Sequence, residues 1–103
     1  MNQVIFDEIQ ALKRQLLPTE KVILFGSQAR GDAREDSDWD LLLVLDKEKS
    51  DFREDRSKYA YPFVELGLKY DTFISAKIRT KKEWEANLSL FKFNVEQEGI
   101  EIV

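Results

Sequence analysis

The chain contains neither cysteine nor histidine. The first absence excludes a disulfide framework and any thiolate metal centre, and the second removes the usual general base and the usual zinc ligand. Any bound metal is therefore held by oxygen, which points to Mg²⁺, Mn²⁺ or Ca²⁺. Long apolar runs are missing too. The longest, Leu41 to Leu45, has five residues, against the roughly 20 that a membrane span requires. The amino terminus carries Asp7 and Glu8, where a signal peptide would be positive, so a cytoplasmic location is expected. There is no excess of positive charge: 16 Lys and Arg stand against 20 Asp and Glu, a net charge of −4. A duplex nucleic acid, whose phosphates reward basic surfaces, is a poor partner for such a chain.

What is present suits one domain spanning residues 1–103, with a single modest core. Ile5, Ile9, Leu12 and Leu16 recur at helical spacing and Pro18 follows, so a first helix ends before that proline. Lys21 to Phe25 reads as a strand running into Gly26. A short helix capped by Ser27 and stopped by Gly31 comes next, then a polar loop from Asp32 to Ser37. Trp39 to Leu45 is apolar on both alternating faces, as in a central strand covered on both sides. Ser50 or Asp51 opens a helix with Phe52, Tyr59, Phe63 and Leu66 on one stripe, and Pro62 predicts a kink or break near Ala60. Tyr70 to Ile78 reads as a third strand. Thr80-Lys81-Lys82-Glu83 has the form of a capping box, opening one helix through Trp84, Leu88, Phe91 and Val95 that Gly99 ends. A short terminal strand, Ile100 to Val103, is expected to follow. The order αβαβαβα implies a small α/β (α+β) domain with a mixed central sheet flanked by helices.

Two features carry chemistry. Residues i and i+2 of a strand face the same way, so Asp38 and Asp40 project side by side at the entrance of the central strand while Trp39 points away. Five acids and one arginine lie between Asp32 and Asp40, and such crowding is unfavourable unless a cation relieves it. Asp32, Glu35 and Asp36 suit a solvated loop, whereas Asp38 and Asp40 are joined to a strand too apolar for a surface edge. The second feature is the glycine turn. Gly26 lets the backbone turn without a Cβ, Ser27 opens a helix whose free N–H groups can hold a phosphate, and Arg30 adds a planar donor fork. The alternative for Arg30 is a salt bridge to Asp32 or Asp36.

Gly26-Ser27-Gln28-Ala29-Arg30-Gly31 followed by Ser37-Asp38-Trp39-Asp40-Leu41-Leu42-Leu43-Val44 closely resembles the signature of the minimal nucleotidyltransferases of the DNA polymerase β superfamily, MntA-like antitoxin type. The resemblance implies a third carboxylate on a later strand, and Asp71 is the acid so placed in Lys69-Tyr70-Asp71-Thr72-Phe73-Ile74. It also implies that Asp38, Asp40 and Asp71 hold two Mg²⁺ ions, with Mn²⁺ as a substitute, and that Asp71 receives the acceptor proton. Gly26, Ser27 and Arg30 would bind the phosphates of ATP or another nucleoside triphosphate, leaving the α-phosphorus open to in-line attack.

No residue names the acceptor. A chain of this length is expected to have its acceptor held by, or identical with, a partner chain. Similar stand-alone proteins are commonly antitoxins that add AMP to a tyrosine of a HEPN-type toxin, and this is the leading expectation. An aminoglycoside acceptor, with a homo-oligomer mate or partner completing the pocket, is the enzymatic alternative. A catalytically idle fold that neutralises its partner by contact is another, favoured by Trp84, Phe91, Phe93, Tyr59 and Tyr61 exceeding what one small core needs. Phe93, which lies off the helical stripe, is its sharpest candidate. Regulatory binding of single-stranded nucleic acid is disfavoured by net charge and by the lack of a basic run interleaved with aromatics.

Overall fold

Asn2 opens the first helix. Its side-chain oxygen accepts hydrogen bonds from the N–H groups of Val4 at 3.0 Å and Ile5 at 3.2 Å, and α1 runs over Gln3–Leu16. Ile5 and Ile9 are buried on the predicted stripe. Lys13 is buried on it as well, its stem covering apolar surface while Nζ donates to the Pro18 carbonyl at 3.3 Å. In this computed structural model the described residues are 1–34 and 37–103.

Strands β1 (Lys21–Phe25), β2 (Trp39–Leu45), β3 (Ile74–Thr80) and β4 (Ile100–Glu101) form one sheet in the order β3-β2-β1-β4. β2 is antiparallel to β1 and parallel to β3, and β4 is antiparallel to β1, so the sheet is mixed as expected. Both β1 and β2 have the bounds read from the sequence. β2 is covered on both faces because its side chains alternate between two cores. Trp39, Leu41, Leu43 and Leu45 pack with Ile5, Ile9 and Phe63, while Leu42 and Val44 pack with Ile23, Trp84 and Val95.

The helical segment after Asp51 breaks where Pro62 requires it. Asp51 caps α3 (Phe52–Asp55), a π-helical turn follows over Arg56–Ala60, and α4 runs over Tyr61–Lys69. The widened turn places Pro62 at the start of α4, where no N–H donor is needed. Phe52, expected on the apolar stripe, is instead exposed, because the π turn rotates it away from buried Ala60 and Phe63.

Two further expectations are corrected. The third strand starts at Ile74, not Tyr70, since Tyr70 to Phe73 are used to leave α4. The N–H groups of Tyr70 and Thr72 both donate to the Gly67 carbonyl, at 2.9 and 3.0 Å, and Asp71 adopts a left-handed φ of 53°. The single helix expected after Thr80 is two helices, α5 (Lys81–Ala86) and α6 (Leu90–Glu98). The capping box is present, with Thr80 N–H donating to Glu83 at 2.9 Å and Glu83 N–H to the Thr80 hydroxyl at 3.1 Å. Asn87 is extended, however, and Ser89 caps a new helix by accepting from Lys92 N–H at 3.1 Å. Leu88, left between them, is 97 % exposed. Cap-forming Asn and Ser offer the backbone an alternative to continued helix, and here it prevails over the apolar stripe.

Candidate functional site

The alternation along β2 that buries Trp39 on the α1/α4 side turns Asp40 to the α5/α6 side. Asp38, one residue before the strand, is exposed and close enough for its charge to act on Asp40. Across the sheet, Asp40 is in register with Phe25 of β1 and Ser75 of β3. Phe25 stacks edge-on against Phe91 of α6, with ring centroids 5.3 Å apart, and Phe91 stacks in the same way on Trp84 at 6.0 Å. The carboxylate therefore sits at the foot of an aromatic wall.

Gly26 joins this wall to the turn. Its φ of 77° and ψ of −159° belong to a region that side-chain-bearing residues avoid. A Cβ there would lie 2.5 Å from Asp40 Oδ2, so only glycine lets the carboxylate rest against the turn backbone. Gly26, rather than the expected Ser27, occupies the cap position, and Ser27 is the first residue of the one-turn helix α2 (Ser27–Arg30). Gly31 ends it in a left-handed conformation, donating its N–H to the Ser27 carbonyl at 3.0 Å.

Arg30 pairs with Asp32 at 3.3 Å and with Glu98 of α6 at 3.5 Å. The other partner considered for it, Asp36, lies with Glu35 outside the described residues. Phe25, Gly26, Arg30, Phe91 and Glu98 line a cleft of about 390 Å³. Burial, followed by the neighbouring charge of Asp38, pushes the Asp40 carboxyl above the usual carboxylate range, while Lys77 and Arg30 draw it partly back. An incomplete local neutralisation of this kind favours a bound cation.

Asp71 is elsewhere. It sits in the turn before β3, not on the strand, and lines a separate cavity of about 1110 Å³ with Gln28, Arg34, Trp39 and Tyr70, on the Trp39 side. Among the described residues no three carboxylates come together as a metal cluster. The structure thus brings together Asp38, Asp40, Gly26, Ser27 and Arg30 and leaves Asp71 outside the group. The expected strand position of Asp71 fails because the exit from α4 uses that residue as its left-handed cap, a role more often given to glycine or asparagine.

Two residues that the sequence reading passed over belong to the site. Gln28 is buried on α2 and donates from Nε2 to the Ser37 carbonyl at 3.1 Å, tying the glycine turn to the segment entering Asp38. Lys77 shares the face of Asp40, two residues along β3 from Ser75. Strand parity from a correct β3 boundary would have found it. Of the surplus aromatics, Trp84 is buried, Tyr59 and Phe91 are half-buried, and Tyr61 and Phe93 are exposed.

The family model described as "Nucleotidyltransferase domain" matches residues 8–102. Two Methanocaldococcus jannaschii proteins, named Putative protein adenylyltransferase MJ0141 and MJ0604, are similar to this chain. The first is 38% identical over 88 residues, covering 81% of this chain and 78% of its own length. The second is 37% identical over 81 residues, covering 78% and 74%. Among solved structures, a toxin-antitoxin with AMP-PNP superposes with a TM-score of 0.66 at 16% identity, covering 100% of this chain and 73% of its own. A mutant of the toxin-antitoxin MntA-HpeT superposes with a TM-score of 0.64 at 14% identity, covering 95% and 72%. At these identities the structural likeness speaks for the fold, a mixed sheet flanked by helices. Among the described residues no helix is long and apolar enough to cross a membrane.

Proposed function

The chain belongs to the nucleotidyltransferase domain family, and we propose that it transfers AMP from ATP to a tyrosine hydroxyl of a HEPN-type toxin, for which it is the antitoxin. One observation carries the reading: the carboxylate of Asp40 rests so close to the Gly26 backbone that a Cβ there would meet it, which sets an acidic pair directly beside a phosphate-sized turn. The names of the adenylyltransferase relatives support AMP as the transferred group and a protein as acceptor. The toxin-antitoxin neighbours, one of them solved with AMP-PNP, support the nucleotide and the partner.

Asp38 and Asp40 fit a divalent cation. They offer only oxygen, stand two residues apart at the entrance of β2, and leave Asp40 with its carboxyl raised by burial and by its neighbour, which suits Mg²⁺ or Mn²⁺. Bound there, the ion would polarise the phosphate and lower the pKa of an attacking hydroxyl. A second ion held with the help of Asp71 does not fit this arrangement, because Asp71 lines a separate cavity.

The chain's own residues do the positioning. The Gly26-Ser27 backbone and the Ser27 hydroxyl face the phosphates, and Gln28 holds the turn in register with Asp38. The Arg30 fork reaches a phosphate by exchanging Asp32 and Glu98, exposed partners that hold it weakly. Together they orient the α-phosphorus for attack and let pyrophosphate leave. The test is to incubate the chain with Mg²⁺, α-labelled ATP and a HEPN-type protein encoded beside it, with Asp38→Ala/Asp40→Ala as control. Mass spectrometry should find AMP on a partner tyrosine, absent in the control. A stable complex without label would leave inhibition by contact alone and overturn the transfer reading.

A further inference from the structure

The face of β3 that adjoins Asp40 carries a cation where a carboxylate was expected. In the parallel register Ser75 lies opposite Asp40 and Lys77 opposite Leu42, so Ser75 and Lys77 share the Asp40 face, while Ala76 and Ile78 turn to the other core. The Lys77 ammonium stands 5.1 Å from the centre of the Phe91 ring, and Phe91 is a wall of the cleft that Gly26 and Arg30 also line. Phe91 is braced by Phe25 and Trp84, so the ring over which the ammonium sits is itself held in place. The charge of Lys77 reaches Asp40, yet among the described residues Lys77 has no carboxylate within ion-pair distance. A cation held over the ring that walls this cleft, with no bonded counter-ion among the described residues, is poised to accept phosphate oxygens.

We propose that Lys77 is a further nucleotide-contacting residue of this site: its ammonium, entering from β3, meets the triphosphate on the side opposite to Gly26, Ser27 and Arg30. This rests on ATP being the donor, as proposed above. Lys77 would add positive charge to the β3 flank of the cleft, where charge accumulates on the leaving pyrophosphate.

The experiment compares the parent chain with Lys77→Met and Lys77→Arg by calorimetric titration with MgATP and, separately, adenosine, alongside thermal melts. Methionine keeps an apolar stem over Phe91 and removes the ammonium, its charge and its donors together. The expected result is that Lys77→Met weakens MgATP binding by about tenfold or more, leaves adenosine binding within about twofold, and melts like the parent, while Lys77→Arg recovers most of the loss. Equal weakening of ATP and adenosine, or unchanged ATP affinity, would show that Lys77 serves only as a counter-charge to Asp40 and overturn the assignment. If Lys77→Met melts lower, the ATP-to-adenosine ratio of a second neutral variant, Lys77→Gln, decides in the same way. A parent chain that binds ATP but labels no partner would defeat the proposed transfer without touching Lys77; a parent chain that binds no ATP overturns both.

Discussion

Replacing Gly26 by alanine tests the contact on which the site is built. Two costs arise. The backbone at φ 77° and ψ −159° lies where a side-chain-bearing residue loses about 1–3 kcal/mol. The new Cβ would stand 2.5 Å from Asp40 Oδ2, so the carboxylate must leave its rotamer at a further cost of about 0.5–1.5 kcal/mol. Together these amount to about 1.5–4.5 kcal/mol, a large part of the ~5–15 kcal/mol that stabilises a domain of this size. The melting temperature should fall by about 6–35 °C. Gly31→Ala is the control. Its φ is 81° but no atom lies within 4 Å of its Cβ position, so only the conformational cost of about 1 kcal/mol remains. The assay is urea unfolding of Gly26→Ala, Asp40→Ala and the double variant. Without the Asp40 carboxylate, Gly26→Ala should be less costly by about 1 kcal/mol. Equal costs in both backgrounds, within about 0.3 kcal/mol, would refute the claim that the glycine is needed for the carboxylate's approach.

Three other outcomes are expected. Asp40 has its carboxyl raised by burial and by Asp38, so the folded state holds its proton to higher pH than the unfolded chain. Its ionisation therefore costs stability progressively as pH rises through the carboxylate range, and Asp40→Asn should melt higher than the parent at pH 7, with the gain vanishing below the unfolded carboxylate pKa. A gain that grew on acidification would contradict the burial argument. Asp71→Asn, which keeps a residue tolerant of the left-handed turn, should leave AMP transfer within about threefold, whereas Asp38→Asn and Asp40→Asn should each lower it by about a hundredfold or more; loss of transfer in Asp71→Asn would restore the role implied by the resemblance. Thr80→Ala removes the buried cap hydroxyl of α5 and should cost about 1–2 kcal/mol, read as a lower urea midpoint at unchanged slope.

The elements that were legible in the sequence are those whose signal is local. The strand Trp39–Leu45 announces itself because it is buried on both faces, and Asp38 and Asp40 are legible as a pair because strand parity follows from backbone geometry alone. The capping box at Thr80 and the break at Pro62 are equally local, each set by where N–H groups can find partners. What failed depended on competition between segments. The stripe Trp84, Leu88, Phe91 and Val95 fits one helix, but Ser89 and Asn87 stop the first and start a second, and Leu88 is left in solvent. Phe52 fits the core until a π turn rotates it out.

Residue types and strand periodicity need no partner to be read, and they suffice for the glycine turn, the aspartate pair and the binding of any metal through oxygen. Which groups meet is set by the folded arrangement of the strands. The parallel register of β2 and β3 places Ser75 and Lys77, not Asp71, on the face of Asp40. The close approach of β2 to the turn makes Gly26 indispensable there. Both depend on how strands distant in sequence are aligned by burying two cores at once, and a register shift of one residue would have turned every one of these side chains to the other face.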